Sequence, residues 1–427
     1  MSQATLSIAM ISLHSGPLGS LGAHRTGGLS VCLRQLSRAL GRAGHRVDLF
    51  APAAGGAEGE TPIPLADNVR LLPVAPGVVS ACPLEIHRQA EEVFATIERL
   101  RRRLGTGYDL VHSHYWASGR AAEFACRTWG AAHVATFHTL AAGKRERRED
   151  PVEFVVRLRA ERHLARTCEA LTVPSPRERD LLTTFCRAAA PRTAVVPWGV
   201  DFERFRSLPR RESRSRLGIP EEAEVVLYVG RLVPEKGLKR LLAALARLGD
   251  RAPLRLIVVG GDGADDPRQR RLAAWAEARG LADRVIFRGR VEPEALPLFY
   301  SAADLLALPS SYESFGLVIL EALACGIPVA ATPVGAAEWL LRDGRRGRLA
   351  AGFAPDDLAA AIAALLDTHL PSPLMAAALR RSVATFGWPQ AAEKLLAVYR
   401  RVLSGRGTAR SLETGESACC GCGRGRR

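Results

Sequence analysis

The chain has 427 residues, 47% of them hydrophobic and 24% charged. That is enough apolar material for two or three cores at ~150 residues per domain, and it excludes a chain disordered throughout. The net charge of +15 invites a nucleic-acid reading, but the basic residues are spread along the chain without a recognised nucleic-acid motif. The skew towards arginine accounts for part of the charge as plain composition, and anionic substrates or peripheral contact with an anionic membrane are compatible with it.

Taken in order, residues 5–13 (TLSIAMISL) predict a buried strand. The loop from His14 to Gly28 leads into a helix with Leu29, Cys32, Leu33, Leu36 and Leu40 on one face. A strand, a loop closing on Gly27-Gly28 and a helix can bring backbone close to a phosphate, because glycine carries no Cβ. Taken alone, a Gly-Gly pair is as well explained by an ordinary turn. HRVDLFAP predicts the second strand, residues 69–74 another, and residues 85–104 a helix. A strand over 108–112 leads into HSHYWASG, read as a loop, with Trp116 as packing. His112 and His114 lack further ligands at zinc spacing. AHVATFH ends at His138, at the C-terminal edge of a strand, where open α/β sheets bind ligands. A helix over 151–167 and a strand over 170–173 follow, and residues 192–205 read as a crossing segment.

The β-α alternation then restarts. EVVLYVG predicts a strand and RLVPEKG its loop, with Arg231 and Lys236 five residues apart. Both could be surface charge, yet the chain holds only four lysines beside 55 arginines, which singles Lys236 out. Residues 308–332 (LPSSYESFGLVILEALACGIPVAAT) read as loop, short apolar helix and strand. Glu313 lies just ahead of the helix and Glu321 two turns inside it, among apolar neighbours. Such a carboxylate needs a partner: either a buried arginine or a ligand's hydroxyls. The helix N-terminus at Phe315, Gly316 and Leu317 would favour an anion. Repeated β-α units in both halves predict two doubly wound parallel sheets. Residues 388–403 form an amphipathic helix, and the tail from Ser404 is too poor in apolar residues for a core. Nine cysteines at irregular spacing form no disulfide framework. The start reads as a strand rather than a signal peptide, and no run of ~20 apolar residues predicts a membrane span. These features lead us to expect a cytoplasmic protein.

The Glu-x7-Glu stretch, GRLVPEKG and the order of the motifs resemble the retaining glycosyltransferases of family 4 over residues 5–403. ISLHSGPL, HSHYWASG, ATFHTLAAGK and VPWGVDFERF resemble in particular its sucrose-phosphate synthase and D-inositol 3-phosphate glycosyltransferase branch. The resemblance implies an α/β protein of GT-B fold: an acceptor-side domain over 1–200, a nucleotide-sugar domain over 201–385, a crossover helix over 386–403 and a basic disordered tail over 404–427. It implies a nucleotide sugar, a UDP-sugar, as co-substrate, with no other cofactor and no metal; the absence of a DxD motif leaves cations to hold the leaving diphosphate. By resemblance, Arg231, Lys236, His138 and Glu313 are catalytic, Gly27, Gly28, Phe315, Gly316, Leu317 and Glu321 bind the donor, and His14, Tyr115, Thr139 and Arg157 bind the acceptor. The implied acceptor is a small phosphorylated sugar or polyol; a lipid-linked or glycan acceptor and an inactive nucleotide-sugar-binding protein are the alternatives. The chain departs from the family pattern at Arg25-Thr26, where an acid precedes Gly-Gly, at Ser30 in place of asparagine, near residues 82–84, where a lysine is missing, and at GAAE (335–338) in place of GGxxE.

Overall fold

The structure is a computed structural model that describes residues 4–18, 27–53, 61–74, 82–144, 150–249, 253–263, 265–368 and 372–416. Eight strands form the first sheet: β1 (Ser7–Ile11), β2 (Arg46–Ala51), β3 (Ile63–Ala66), β4 (Val69–Pro73), β5 (Leu110–His114), β6 (Ala132–Thr136), β7 (Ala170–Val173) and β8 (Thr193–Val195). Their order is β3-β4-β2-β1-β5-β6-β7-β8, with every neighbour parallel except β3, which runs antiparallel to β4. Six parallel strands form the second: β9 (Glu224–Val229), β10 (Leu254–Val259), β11 (Val285–Gly289), β12 (Leu305–Leu308), β13 (Val329–Ala331) and β14 (Gly347–Leu349), ordered β11-β10-β9-β12-β13-β14. The order reverses beside β1 in one sheet and beside β9 in the other, so a crevice opens at the C-terminal end of each at that point. The loops after β1, β5 and β6 and those after β9, β10 and β12 converge there.

The helix Gly28–Arg42 buries Cys32, Leu33, Leu36 and Leu40, as its 3.6-residue spacing dictates. The chain crosses to the second domain after β8 and returns at residue 387, where Val200 and Gly387 pair and the Val200 N–H donates to Phe386. The returning helix, Trp388–Glu416, then packs on Gly28–Arg42 and buries Leu395, Tyr399 and Val402. It runs past residue 403, where the sequence reading ended it. Arg406, bonded to Glu169 and to the Gly130 carbonyl, anchors the extension. Of the expected tail, residues 417–427 lie outside the described residues.

Three further expectations change. The helix expected over 85–104 is two helices, Pro83–Arg88 and Ala90–Arg103, divided at Gln89. The strands β3 and β8 went unread because four and three residues carry no period. HSHYWASG is not a loop: His112 and His114 end β5, and a helix begins at Trp116. Those histidines are buried because polar partners await them, as described below.

Candidate functional site

The loop after β9 carries Arg231 and Lys236. Its turn depends on Gly237, at φ +70°, where a Cβ would lie 1.9 Å from the Pro309 carbonyl oxygen. That contact seats the loop against the 309–316 segment. Lys236 Nζ donates to Glu313 Oε1 at 2.5 Å, and Ser310 Oγ donates to the same oxygen at 2.9 Å. Gly316, at φ +95°, turns the chain into the helix Leu317–Ala324. Amides in its first turn have no acceptor four residues earlier in the helix. Gly316, Leu317 and Val318 line the cleft, whereas Phe315 is fully buried with its ring against Trp198 (5.5 Å). The Phe315 side chain, expected at the donor, therefore packs in the core and does not line the cleft.

Glu321 lines the same cleft and accepts from the Tyr300 hydroxyl at 2.7 Å. Burial pushes its carboxyl up to about 7, although the Tyr300 bond and the more distant Arg204 favour the ionised form. Arg204 itself pairs with Glu294. Among the described residues no ion pair to Glu321 is formed, so the buried-arginine alternative gives way to a carboxylate open to the cleft.

Opposite stand Gly27 and Gly28. A Cβ on Gly28 would meet the Trp198 ring at 3.3 Å, and one on Gly27 would meet nothing within 4 Å. Gly27 thus lines the cleft as bare backbone. Ser30 bonds Ser15, while Ser12 holds the Ser15 carbonyl, so this serine fixes the loop after β1. The Arg25-Thr26 departure lies outside the described residues.

The third wall comes from β5 and β6. Tyr115 (φ +70°) and His138 (φ +62°) both adopt left-handed backbone, rare for such side chains, and such strain is held where the surroundings impose it. Tyr115 stacks on His14 at 4.7 Å. His138 Nε2 is hydrogen-bonded to His114 Nδ1 at 2.9 Å, and His112 bonds Thr136 and Tyr399 of the returning helix. Burial drives His138 and His112 well below the ordinary histidine range and His114 to about 3, so all three are neutral at pH 7. His138 Nδ1 has no partner among the described residues. Which of the two rings donates in the His114–His138 bond decides whether that nitrogen donates or accepts.

Arg157 departs from expectation. It is 1% exposed, donates from Nε to the fully buried Glu161 at 2.7 Å, and from Nη2 to the Thr139 carbonyl (2.8 Å) and hydroxyl (3.0 Å). It also lies under the Tyr115 ring at 5.3 Å. It does not line the cleft. Because Thr139 Oγ1 accepts from Arg157, its own hydroxyl proton is free to point elsewhere.

One cleft of about 410 Å³ therefore gathers His14, Gly27, Gly28, Tyr115, His138, Thr139, Arg231, Lys236, Glu313, Gly316, Leu317 and Glu321. Sequence reasoning missed Trp198, Tyr300 and His114. For His114 the signal was present, a second histidine two residues after His112 and so on the same face of a strand.

Comparison with known proteins identifies the family. Residues 26–204 match the family described as Glycosyltransferase Family 4, and residues 209–378 match Glycosyl transferases group 1. The D-inositol 3-phosphate glycosyltransferase of Acidothermus cellulolyticus is 36% identical over 417 residues, 94% of this chain and 92% of that protein. The protein of the same name from Geodermatophilus obscurus is 37% identical over 413 residues, 92% and 88% of the two chains. Among solved structures, sucrose-phosphate synthase from Thermosynechococcus elongatus superimposes with a TM-score of 0.82 at 29% identity, covering 94% of this chain and 100% of that one. Anabaena HepE in complex with UDP-glucose shares the fold, with a TM-score of 0.67 at 21% identity and coverage of 94% and 100%. Two facing parallel-sheet domains, the Glu-x7-Glu helix and full-length similarity to these relatives lead to one assignment: the chain belongs to glycosyltransferase family 4 and has the GT-B fold.

Proposed function

We propose that this glycosyltransferase moves a hexosyl unit from a UDP-sugar to a hydroxyl of a small phosphorylated polyol, of the class of D-inositol 3-phosphate, in the cytoplasm. The observation that carries the proposal is the arrangement of Arg231 and Lys236 beside the Gly316–Leu317 helix start, with the bare backbone of Gly27 opposite. Two cations and a helix N-terminus can take up the charge of a departing diphosphate without a metal. Glu321 accepts the ribose hydroxyls and His138 Nδ1 meets the sugar. Glu313 is held by Lys236 and Ser310, and Glu321 by Tyr300. With the leaving diphosphate held by Arg231 and Lys236, its own oxygen can assist the incoming hydroxyl, so the proposed reaction is front-side attack with retained configuration. The acceptor half of the proposal draws on the names of the relatives and on Thr139, whose hydroxyl proton is left available by Arg157.

Thermal-shift screening with UDP-, GDP- and ADP-sugars identifies the donor, since a ligand that binds only the native state raises its melting temperature. Transfer is then assayed to inositol phosphate and to inositol. Wild type should prefer the phosphorylated form, and Thr139→Val should lose most of that preference. Equal rates with both forms would remove the phosphorylated-polyol assignment in favour of a glycan or lipid-linked acceptor, leaving the donor site intact.

A further inference from the structure

Tyr312 belongs to the donor-side loop, next to Glu313, yet its ring sits against the other domain. A Cβ on Gly143 would come within 2.7 Å of Tyr312 Cε2 and 2.9 Å of Leu181, so glycine at 143 leaves the space that the ring needs. The phenol oxygen donates to Glu178 Oε1 at 3.0 Å and accepts from the Leu140 N–H at 3.3 Å. Glu178 is 2% exposed, on the helix Pro176–Phe185. Burial pushes its carboxyl up to about 8 and nearby Glu161 adds to the rise; Tyr312, Arg177 and Arg157 oppose it.

Leu140 follows Thr139, whose carbonyl and hydroxyl are held by Arg157, and precedes Ala141, whose N–H donates to Glu161 at 3.0 Å. One run of contacts therefore links Lys236 and Glu313 to the backbone at 139–141. Two further bonds cross the same seam, Ser175 Oγ to the Ser314 carbonyl at 3.1 Å and Arg177 to Glu338. Those two hold the domains together without touching the 139–141 segment.

We propose that Tyr312 is a positioning residue that couples the two substrates: through Leu140 and Glu178 it fixes the acceptor-side segment 139–141 when the donor loop 310–313 is in place. The coupling is reciprocal, so nucleotide should raise acceptor affinity by the factor by which acceptor raises nucleotide affinity. The inference rests on the proposed acceptor only for its first readout. That readout is the affinity for D-inositol 3-phosphate with and without a saturating nucleoside diphosphate, whichever of UDP, GDP and ADP raises the melting temperature. Tyr312→Phe keeps the ring and removes both hydroxyl bonds. It should cut the coupling factor about tenfold, the scale of losing these two hydroxyl bonds, with nucleotide affinity alone within twofold of wild type. Glu178→Gln still presents an oxygen to the phenol and should retain the coupling, whereas Glu178→Leu should lose it. Undiminished coupling in Tyr312→Phe overturns the proposal, as does an equal loss of affinity for nucleotide alone. If wild type binds nucleotide but not D-inositol 3-phosphate, the acceptor assignment is wrong, and amide hydrogen exchange decides the inference instead. Nucleotide must then slow exchange over residues 139–144 in wild type and not in Tyr312→Phe; equal protection in both overturns it.

Discussion

Replacing Glu321 by Gln separates a ligand-binding carboxylate from a structural one, because the two roles move apo stability in opposite directions. In the native state its carboxyl titrates at about 7 rather than 4.5, chiefly through burial. Between those values the folded chain holds a proton that the unfolded chain has released, so stability is lost as pH rises towards 7. At 1.36 kcal/mol per pH unit the cost above pH 7 is at most about 3 kcal/mol, and opening to the cleft reduces it to about 1–2 kcal/mol. Glutamine carries no charge and still accepts from Tyr300. The apo variant should therefore match wild type at pH 4.5, gain on it up to pH 7 and stay more stable by about 1–2 kcal/mol at pH 8. Nucleoside diphosphate affinity at pH 8 should fall about 10- to 100-fold, the loss expected for charge-assisted bonds to ribose hydroxyls. Urea unfolding across pH 4.5–8.5 and calorimetric titration measure the two effects. An apo variant destabilised by about 3–5 kcal/mol, with unchanged nucleotide affinity, would refute the reasoning and make Glu321 half of a structural pair.

Lys236→Ala should lower turnover by about 10²-fold or more, the scale of removing one charge-stabilising group, in a variant that melts normally; near wild-type turnover would exclude a role in leaving-group departure. Gly27 has an extended backbone with open space where a Cβ would project. Gly27→Ala should therefore leave the apo melting temperature unchanged and weaken nucleotide-sugar binding at least tenfold, and unaltered binding would place the diphosphate elsewhere.

Much of the site could be read from the sequence because its parts are local. Glu313, Glu321 and the intervening glycine follow from one loop and one helix, and Arg231 and Lys236 from one loop. What could not be read depends on contacts between distant segments. Tyr300 meets Glu321 across 21 residues, Tyr399 meets His112 across 287, and Tyr312 meets Glu178 across 134. None leaves a periodic signal. Burial of the histidines misled the reading of β5, since polar residues at 112 and 114 break the apolar run that a central strand normally shows. Arg157 and Glu161, four residues apart on one helix, could have been read as a pair from spacing alone. The resemblance placed Arg157 directly at the ligand; the structure places it behind Thr139.

The returning helix has a consequence for the order in which the protein can be completed. The strip on Gly28–Arg42 that it covers belongs to the first domain, but the side chains that fill it, Leu395 and Tyr399 among them, are made only after the whole second sheet. After residue 200 emerges, roughly 10–40 s of synthesis at 5–20 residues per second must pass before they exist. Throughout that interval the first domain carries an unfilled apolar strip and His112 lacks Tyr399. The first half of the chain is thus finished from its far end, and a nascent chain stopped at residue 385 would hold both sheets and still lack a closed first domain.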